Sequence, residues 1–277
     1  MASYRFCRSD DVGLLVDAYN ACYRPVTGFT PIDVDQFKRW IRTLELWTSS
    51  CMVASEGEKL LGVLLAAKRE EENCVLAIGI DEPVRHQDHG RHLMTSLSQK
   101  LAILGPHRMI CEVPSNQERI IRFLEHCDYS AEAELHDYLL EQPTAAPAPA
   151  AMIAEVSLDD IDSAEFSDVT NQICWGRAPR AIARREEYFK SLRCVALVGV
   201  ERLEAALIFE ENELLAIRHH ADEKSDSLVG ALIAATAQGP IHWKRVHVEE
   251  CDPERAERWG FRRVGSHLRM SCLAEPA

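Results

Sequence analysis

Segments with helical and with strand-like hydrophobic patterns alternate along the first half of the chain. Apolar residues recur at helical spacing in some segments and form short continuous runs, typical of buried strands, in others. The predicted helices are 12–23, 32–46, 90–104 and 117–126. The predicted strands are 4–7, the hairpin 51–65, and 74–80, 109–113 and 135–141. Strands and helices mixed in this order predict an α/β or α+β domain built on a sheet.

The second half of the chain repeats this plan. Residues 51–65 and 194–208 both have the pattern of a strand, a tight turn and a second strand. Each hairpin is followed by a strand introduced by asparagine, a helical segment that ends in Gly-Pro, and a β-rich run with a carboxylate. The matching positions are Asn73 and Asn212, Gly105 and Gly239, and Glu112 and Glu249. This agreement in the order of the elements, and in the residues that mark their ends, predicts an internal duplication.

A Pro/Ala-rich stretch separates the two halves. Residues 143–151 are Pro-Thr-Ala-Ala-Pro-Ala-Pro-Ala-Ala, a composition that disfavours both helix and sheet. We therefore expect a linker at 143–151 between two domains, 1–142 and 152–277.

Composition is that of an ordinary globular protein. Of 277 residues, 47% are hydrophobic and 27% are charged. No apolar run is long enough to span a bilayer, and 1–11 lacks the apolar core of a signal peptide, so we expect a cytoplasmic protein with no membrane partner. The net charge of −13 argues against a nucleic-acid partner, which needs a basic face.

The ten cysteines are scattered, without a C-x-x-C pair or a Cys/His cluster at zinc spacing. Four of them lie within apolar runs, where a reduced cysteine behaves as a small hydrophobic residue: Cys51, Cys74, Cys111 and Cys194. We therefore predict neither a disulfide framework nor a metal site.

The stretch from Ile78 to Met94 carries the main chemical signal. A predicted strand ends at Ile80, a polar loop containing Gly90 follows, and a predicted helix begins. A helix start after a loop presents free backbone N–H groups and favours anions. This arrangement predicts a phosphate-bearing ligand.

In this context, the loop Arg85-His86-Gln87-Asp88-His89-Gly90 resembles the phosphate-binding loop of the GNAT superfamily of acyl-CoA-dependent N-acetyltransferases. The resemblance covers most of residues 4–141. It implies an α/β (α+β) fold with two GNAT-like domains, each a mostly antiparallel twisted sheet flanked by helices, whose splayed central strands hold acyl-CoA. It also implies acetyl-CoA as the co-substrate, without a metal.

The resemblance also implies which residues contact acyl-CoA. The end of the central strand would hold the pantetheine arm, and the loop would cradle the pyrophosphate. Asn116 matches an asparagine before the fourth helix, and Phe123 stands where many members have a tyrosine that protonates the leaving thiolate. The implied cofactor-binding residues are Ile78, Gly79, Ile80, Arg85, His86, Gln87, Asp88, His89, Gly90, Arg91, Asn116 and Phe123.

Two of these positions depart from the family pattern. Asp88 replaces the first glycine of the loop, and a carboxylate beside a pyrophosphate is repulsive unless it points to solvent. An alternative role for Asp88 is to cap the following helix. Phe123 has no proton to donate, so no general acid is assigned.

A base must accept a proton from the attacking ammonium. Glu112 is the first candidate because its apolar neighbours indicate partial burial. Asp81 and Glu82, at the end of the preceding strand, are alternatives, and each of the three could also be a solvated charge at a strand end. His86, His89 and His92 could contact phosphates or face solvent.

The sequence of the second half indicates a degenerate copy of the first half. Its loop, within 218–230, has no glycine before the helix and carries three acidic residues. We expect acetyl transfer to an amine of a small molecule or peptide, by direct attack in the N-terminal domain of a monomer or homodimer. The alternatives are another acyl-CoA and a non-catalytic pseudoenzyme that binds CoA or a partner.

Overall fold

The computed structural model describes residues 1–142, 152–167, 173–220 and 223–275. The predicted linker, 143–151, lies outside these residues. The helices are α1 (Val12–Tyr23), α2 (Val34–Thr43), α3 (His89–Leu104), α4 (Glu118–Glu125), α5 (Leu158–Asp162), α6 (Pro179–Phe189), α7 (Glu223–Thr236) and α8 (Pro253–Arg258). The strands are β1 (Ser3–Phe6), β2 (Met52–Glu56), β3 (Lys59–Lys68), β4 (Glu72–Ile80), β5 (Arg108–Pro114), β6 (Ser130–Leu140), β7 (Met152–Glu155), β8 (Leu192–Val198), β9 (Leu203–Glu210), β10 (Glu213–His219), β11 (Ile241–His247) and β12 (Arg262–Leu273).

The chain forms two compact units that are interleaved in sequence. The first unit contains Met1–Val113, Gln117–Glu132 and the residues from Leu268 onwards. The second contains Pro114–Asn116 and Ala133–His267. The first unit thus includes part of the last strand. The domain boundaries 1–142 and 152–277 stay a prediction.

In the first unit the strands run in the order β1-β2-β3-β4-β5, followed by the part of β12 that belongs to this unit. The first three pairings are antiparallel, and β4 pairs with β5 in parallel. Alternate residues of a strand point to opposite faces. Leu64 accordingly packs with Leu93 and Leu97 of α3, whereas Val63 and Leu65 pack with residues of α1 and α2. Helices therefore cover both faces of this sheet.

The second unit repeats the pairing scheme. Its strands run in the order β6-β11-β10-β9-β8-β7. The pairs β7–β8, β8–β9, β9–β10 and β11–β6 are antiparallel, and β10 pairs with β11 in parallel. The parallel pair thus follows three antiparallel pairings in both units. The predicted mixed fold is confirmed, with sheets flanked by helices and a duplicated plan.

Helix boundaries follow local capping. Helix α1 spans the predicted residues, Val12–Tyr23. Helix α2 begins two residues after the predicted start of 32–46 because Asp33 caps it: its carboxylate accepts a bond from the Gln36 N–H, and the Gln36 side chain accepts one from the Asp33 N–H. The helix ends at Thr43, before the predicted end. The elements between 152 and 189 were not predicted from the sequence.

The cysteines within apolar runs are buried, as predicted: Cys51, Cys74, Cys111 and Cys194. Within the described parts of the chain, no helix is long and apolar enough to cross a membrane.

Candidate active site

Strands β4 and β5 are paired over only part of their length. Parallel pairing runs from Glu72 opposite Arg108 to Val75 opposite Cys111. The next residue, Leu76, is an extra residue in β4, because Ala66 of β3 faces Val75 whereas Leu65 faces Ala77. Such a bulge bends a strand. Beyond it β4 continues along β3 to Ile80 while its pairing with β5 has ended, so the two strands leave a gap.

The backbone of β4 offers hydrogen-bonding groups to this gap. The Asp81 N–H donates to the Leu61 carbonyl of β3 at 2.9 Å. Since every second residue of a strand bonds to the same neighbouring strand, Gly79 also bonds towards β3. The alternate residues Ile78 and Ile80 therefore direct their N–H and C=O groups away from β3. The Ile78 carbonyl accepts a bond from the Tyr23 hydroxyl at 3.0 Å, and the Ile80 carbonyl accepts one from Arg85 Nε at 3.1 Å.

Tyr23, the last residue of α1, was missed by the sequence analysis. A Cβ at Gly79 would lie 2.7 Å from the Tyr23 ring and 2.9 Å from Cys22 Cβ, so glycine is what lets the end of α1 approach β4. Burial raises the pKa of Tyr23 above its ordinary value and keeps the hydroxyl protonated as a donor. The one hint in the sequence is the spacing of Tyr19 and Tyr23: they lie one helical turn apart, which places both rings on the same face of α1.

Tyr23 belongs to an aromatic cluster at this end of β4, formed by Tyr19, Tyr23, Phe29 and Trp40. The rings of Tyr19 and Tyr23 stack at 4.5 Å, and Trp40 meets Tyr19 edge-on at 5.4 Å. Phe29 lies 5.8 Å from Tyr19. All four residues are half-buried, so the cluster offers apolar surface beside the gap.

The loop before α3 has a backbone suited to anions. His86 and Asp88 both adopt the left-handed conformation, with φ of 62° and 59°. Left-handed residues in a turn direct successive N–H groups into a concavity that binds anions. In α3 the His92 N–H bonds to the Asp88 carbonyl at 2.9 Å, so the N–H groups of His89, Gly90 and Arg91 precede the hydrogen-bond ladder of the helix.

The Asp88 side chain is exposed and makes no capping hydrogen bond, so its alternative role as a side-chain cap is wrong. Its backbone conformation is one that aspartate tolerates better than most residues. Aspartate at position 88, where the family pattern has glycine, therefore preserves the backbone of the turn and adds a carboxylate at its edge.

The three histidines of this region differ in environment. His86 and His92 are exposed, and the His92 ring lies 3.8 Å from the Tyr4 ring. His89 is buried, and its Nδ1 lies 2.6 Å from the Tyr4 hydroxyl. His89 thus ties the start of α3 to β1.

Phe123 is half-buried against the start of α3. Atoms of its ring lie 3.2 Å from the position of a Cβ on Gly90, so glycine allows α3 and α4 to approach here. Arg91 and Gln87 are exposed, as is Asn116 in the turn before α4.

Of the candidate bases, Glu112 is buried in an ion pair. Its side chain is 3% exposed, and Arg269 Nη2 of β12 donates to its Oε1 at 3.0 Å. The side chain of Glu82 is 66% exposed and lies 3.9 Å from Arg85 Nη1. The Asp81 carboxylate lies 3.5 Å from Lys59 Nζ. The accessible carboxylate at the end of β4 is therefore Glu82.

No group of three or more potential metal ligands is present among the described residues.

Comparisons with known proteins agree with this geometry. Residues 14–129 match the model of the Acetyltransferase (GNAT) family. No curated protein sequence matches the chain.

Several solved structures share the fold along the whole chain. A tandem GNAT protein from the clavulanic acid biosynthesis pathway is similar over 100% of both chains, with a TM-score of 0.70 and 12% identity. A GCN5-related N-acetyltransferase from Sphaerobacter thermophilus aligns with 100% of this chain and 96% of its own, with a TM-score of 0.66 and 11% identity. One from Anabaena variabilis aligns with 99% of this chain and 73% of its own (TM-score 0.64, 11% identity). Residues 14–129 match the GNAT family of acetyltransferases, and the whole chain has the fold of a tandem GNAT protein.

Proposed function

We propose that the first unit transfers an acetyl group from acetyl-CoA to the amine of a small molecule or peptide. The GNAT family generally uses acetyl-CoA, and its fold supports N-acetyl transfer. The acceptor, the direct-attack mechanism and the site residues are proposals for this chain.

One observation carries the proposal. The gap between β4 and β5 receives backbone groups of Ile78 and Ile80, and the anion-binding turn at 86–90 follows the same strand. A thioester joined to a pyrophosphate needs these two features in this order. The residues fit acetyl-CoA as follows: the N–H groups of the turn and of the first turn of α3 hold the pyrophosphate, and β4 holds the pantetheine arm.

The transfer itself needs little from the protein beyond positioning and polarisation. An N–H of Ile78 or Ile80 donates to the thioester carbonyl and stabilises the negative charge that develops on its oxygen. The amine, once it has lost a proton, attacks the carbonyl carbon and forms the C–N bond. The C–S bond then breaks, and the thiolate leaves with the electron pair. The nitrogen loses its second proton as the amide forms, and that proton passes through water to the thiolate.

The proton of the attacking ammonium goes to a base directly or through water. Glu82 is the accessible candidate, at the end of β4. Glu112 is the second candidate, although its pairing with Arg269 gives it a structural role as well. The aromatic cluster offers its ring surfaces to an acceptor whose ammonium is attached to an apolar group.

A second candidate function is a pseudoenzyme that binds CoA without transfer. Three observations favour it: the carboxylate of Asp88 at the phosphate turn, the phenyl ring of Phe123 in place of an acid, and the ion pair that engages Glu112.

Two measurements test the proposal. Calorimetric titration with acetyl-CoA measures binding, and release of free CoA thiol across a panel of amines measures transfer. Gly90→Pro removes one N–H at a helix position that tolerates proline, so it should weaken acetyl-CoA binding. Gly90→Ala is the matched control, because it adds a Cβ against Phe123 but keeps the N–H.

The outcomes separate the candidates. Binding with thiol release supports the transferase. Binding without release for any amine supports the pseudoenzyme. Absence of binding at millimolar acetyl-CoA overturns both.

A further inference from the structure

The second unit has a counterpart of the gap between β4 and β5. Strands β10 and β11 pair in parallel at a single position, Glu213 opposite His242. Leu215 is an extra residue in β10, because Leu214 faces Phe209 of β9 and Ala216 faces Ile208. In the sequence repeat, Leu215 occupies the place of Leu76. Both parallel pairs therefore part at a bulge in the same position.

This second gap contains a buried guanidinium group. Arg177 ends a short 3-10 turn, Trp175–Arg177, just before α6, and its side chain is 2% exposed. Its Nη1 donates to the carbonyl of the bulge residue Leu215 at 2.8 Å. Its Nε and Nη2 donate to the carbonyls of Lys244 and Arg245 in β11, at 2.6 and 3.1 Å. The guanidinium thus bonds to both of the separated strands.

The charge of Arg177 is neutralised in place. Glu250 accepts a bidentate pair of bonds from Nη1 and Nη2, both at 2.7 Å, and its side chain is 10% exposed. With the three carbonyls, these bonds use all five N–H donors of the side chain. Parted strands leave carbonyl groups without ladder partners, and such groups must be satisfied when buried. Arg177 satisfies three of them at once.

In the first unit, different side chains bond to the carbonyls that face the gap. There the bonds from side chains to the gap-facing carbonyls of β4 come from Tyr23 and Arg85, farther along the strand at Ile78 and Ile80. The corresponding strands of the second unit are bridged at the bulge itself.

We propose that Arg177 is a built-in ligand of the second gap, which bridges the parted strands at the bulge where the gap would open and leaves the chain one acyl-CoA site instead of two. The gap is a guanidinium site formed by three backbone carbonyls and a carboxylate. Its occupant is covalently part of the chain, so the second unit has the fold of an acyl-CoA binder without the opening.

The first test counts ligands. Titration of the full chain with acetyl-CoA should give one equivalent per chain, and two equivalents would overturn the proposal. If no acetyl-CoA binds, the proposed function fails, but the melting experiments below still decide the role of Arg177.

The second test removes the internal ligand. Arg177→Ala takes away the guanidinium and keeps the Glu250 carboxylate, the counterion that a guanidinium ion needs in this site. We expect the melting temperature to fall by roughly 10 °C, since a buried, fully bonded charge pair is lost. Millimolar guanidinium chloride should then raise the melting temperature of this variant, because a ligand that binds the folded state stabilises it.

Three controls test whether the rise in melting temperature comes from guanidinium binding at the vacated site. Sodium chloride at the same concentration, and wild-type protein with guanidinium, should show no rise. Arg202→Ala removes a half-exposed partner of Glu204 in the same unit and should leave the melting temperature nearly unchanged.

Arg177→Lys keeps the charge on a slightly shorter side chain and provides three donors instead of five. We expect it to fold and to melt below the wild type. An Arg177→Lys variant that melts at the same temperature as the wild type would contradict the proposal. So would an Arg177→Ala variant that gains no stability from guanidinium.

Discussion

Asp88 illustrates how much one residue can alter a site without altering its backbone. Its φ of 59° is the conformation that glycine adopts most easily, and the exposed carboxylate stands beside the turn that we assign to the pyrophosphate. The sequence predicted the conflict of charge. It did not reveal that the left-handed turn persists, because the conformation depends on the loop as a whole.

Replacing Asp88 by asparagine separates charge from conformation, because asparagine also tolerates the left-handed region. We expect acetyl-CoA to bind roughly three-fold more tightly at low salt, since one repulsive charge near the phosphates is lost. The gain should shrink as salt screens it. Asp128→Asn is the control, at another exposed left-handed aspartate. Equal gains in both variants would mean that the effect is not local.

Tyr23→Phe tests the bond that joins α1 to β4. The Ile78 carbonyl loses its donor, which should cost about 1–2 kcal/mol of unfolding free energy in a denaturant titration. Turnover should fall as well, if β4 positions the thioester. Tyr19→Phe retains the stacked ring and leaves the bond to Ile78 intact. A Tyr19→Phe variant that is destabilised as much as Tyr23→Phe would contradict a specific role for this bond.

The pH dependence of this difference has a definite sign. Burial raises the folded-state pKa of Tyr23, whereas an unfolded tyrosine ionises near pH 10. The stabilisation due to Tyr23 should therefore be fully present below about pH 10 and be lost as the pH rises through the folded-state pKa. Denaturant titrations of wild type and Tyr23→Phe at several alkaline pH values measure it. A stability difference that grew above pH 10 would contradict this assignment.

At the scale of elements, the site depends on a bulge and on two glycines that permit close approach. Leu76 turns β4 away from β5, Gly79 admits α1, and Gly90 admits α4. None of these three features can be recognised from the sequence of one strand or helix alone. Each is a relation between elements that are distant in sequence.

Gly79→Ala should therefore destabilise the protein by about 1–3 kcal/mol, because a Cβ there would overlap the Tyr23 ring and Cys22 Cβ. Gly13→Ala is the matched control. Gly13 lies in α1 with no atom within 4 Å of its added Cβ, so alanine should stabilise by about 0.5–1 kcal/mol. Chemical denaturation of both variants measures these changes. Equal effects would contradict the role of close approach.

The difference between predicted and observed features follows from how local each one is. Helix α1 and the hairpin of β2 and β3 have their signals within a few residues, so the sequence predicted them. The burial of Glu112 was also predicted from its apolar neighbours. Its partner Arg269 lies 157 residues later, and no local pattern marks that pairing. Arg177 was missed for the same reason: its acceptors come from four separate positions.

At the scale of the whole molecule, the first unit is made from both ends of the chain. The residues from Leu268 onwards supply Met270 and Ala274 to its core and Arg269 to Glu112. The Ala274 N–H donates to the His107 carbonyl at 2.7 Å, which continues this attachment past β12. A contiguous N-terminal fragment would lack these contacts.

Deleting the residues from Leu268 onwards should prevent stable folding of the first unit, since it removes core side chains and leaves the Glu112 carboxylate buried without Arg269. Limited proteolysis and acetyl-CoA titration measure the loss. A truncation after Ala274 is the control and should behave as the wild type. A synthetic peptide of residues 262–275 should restore protection to the deleted protein. Full stability of the deleted protein would contradict this account.

The position of the last strand also bears on biosynthesis. A nascent chain leaves the ribosome from its N-terminus, yet the first unit needs residues that follow Glu132 by more than a hundred positions. At about 5–20 residues per second, the ribosome needs on the order of ten seconds to deliver them. Until the residues from Leu268 onwards have been made, the incomplete first unit exposes the edge of β5, a candidate for chaperones that shield unpaired strands.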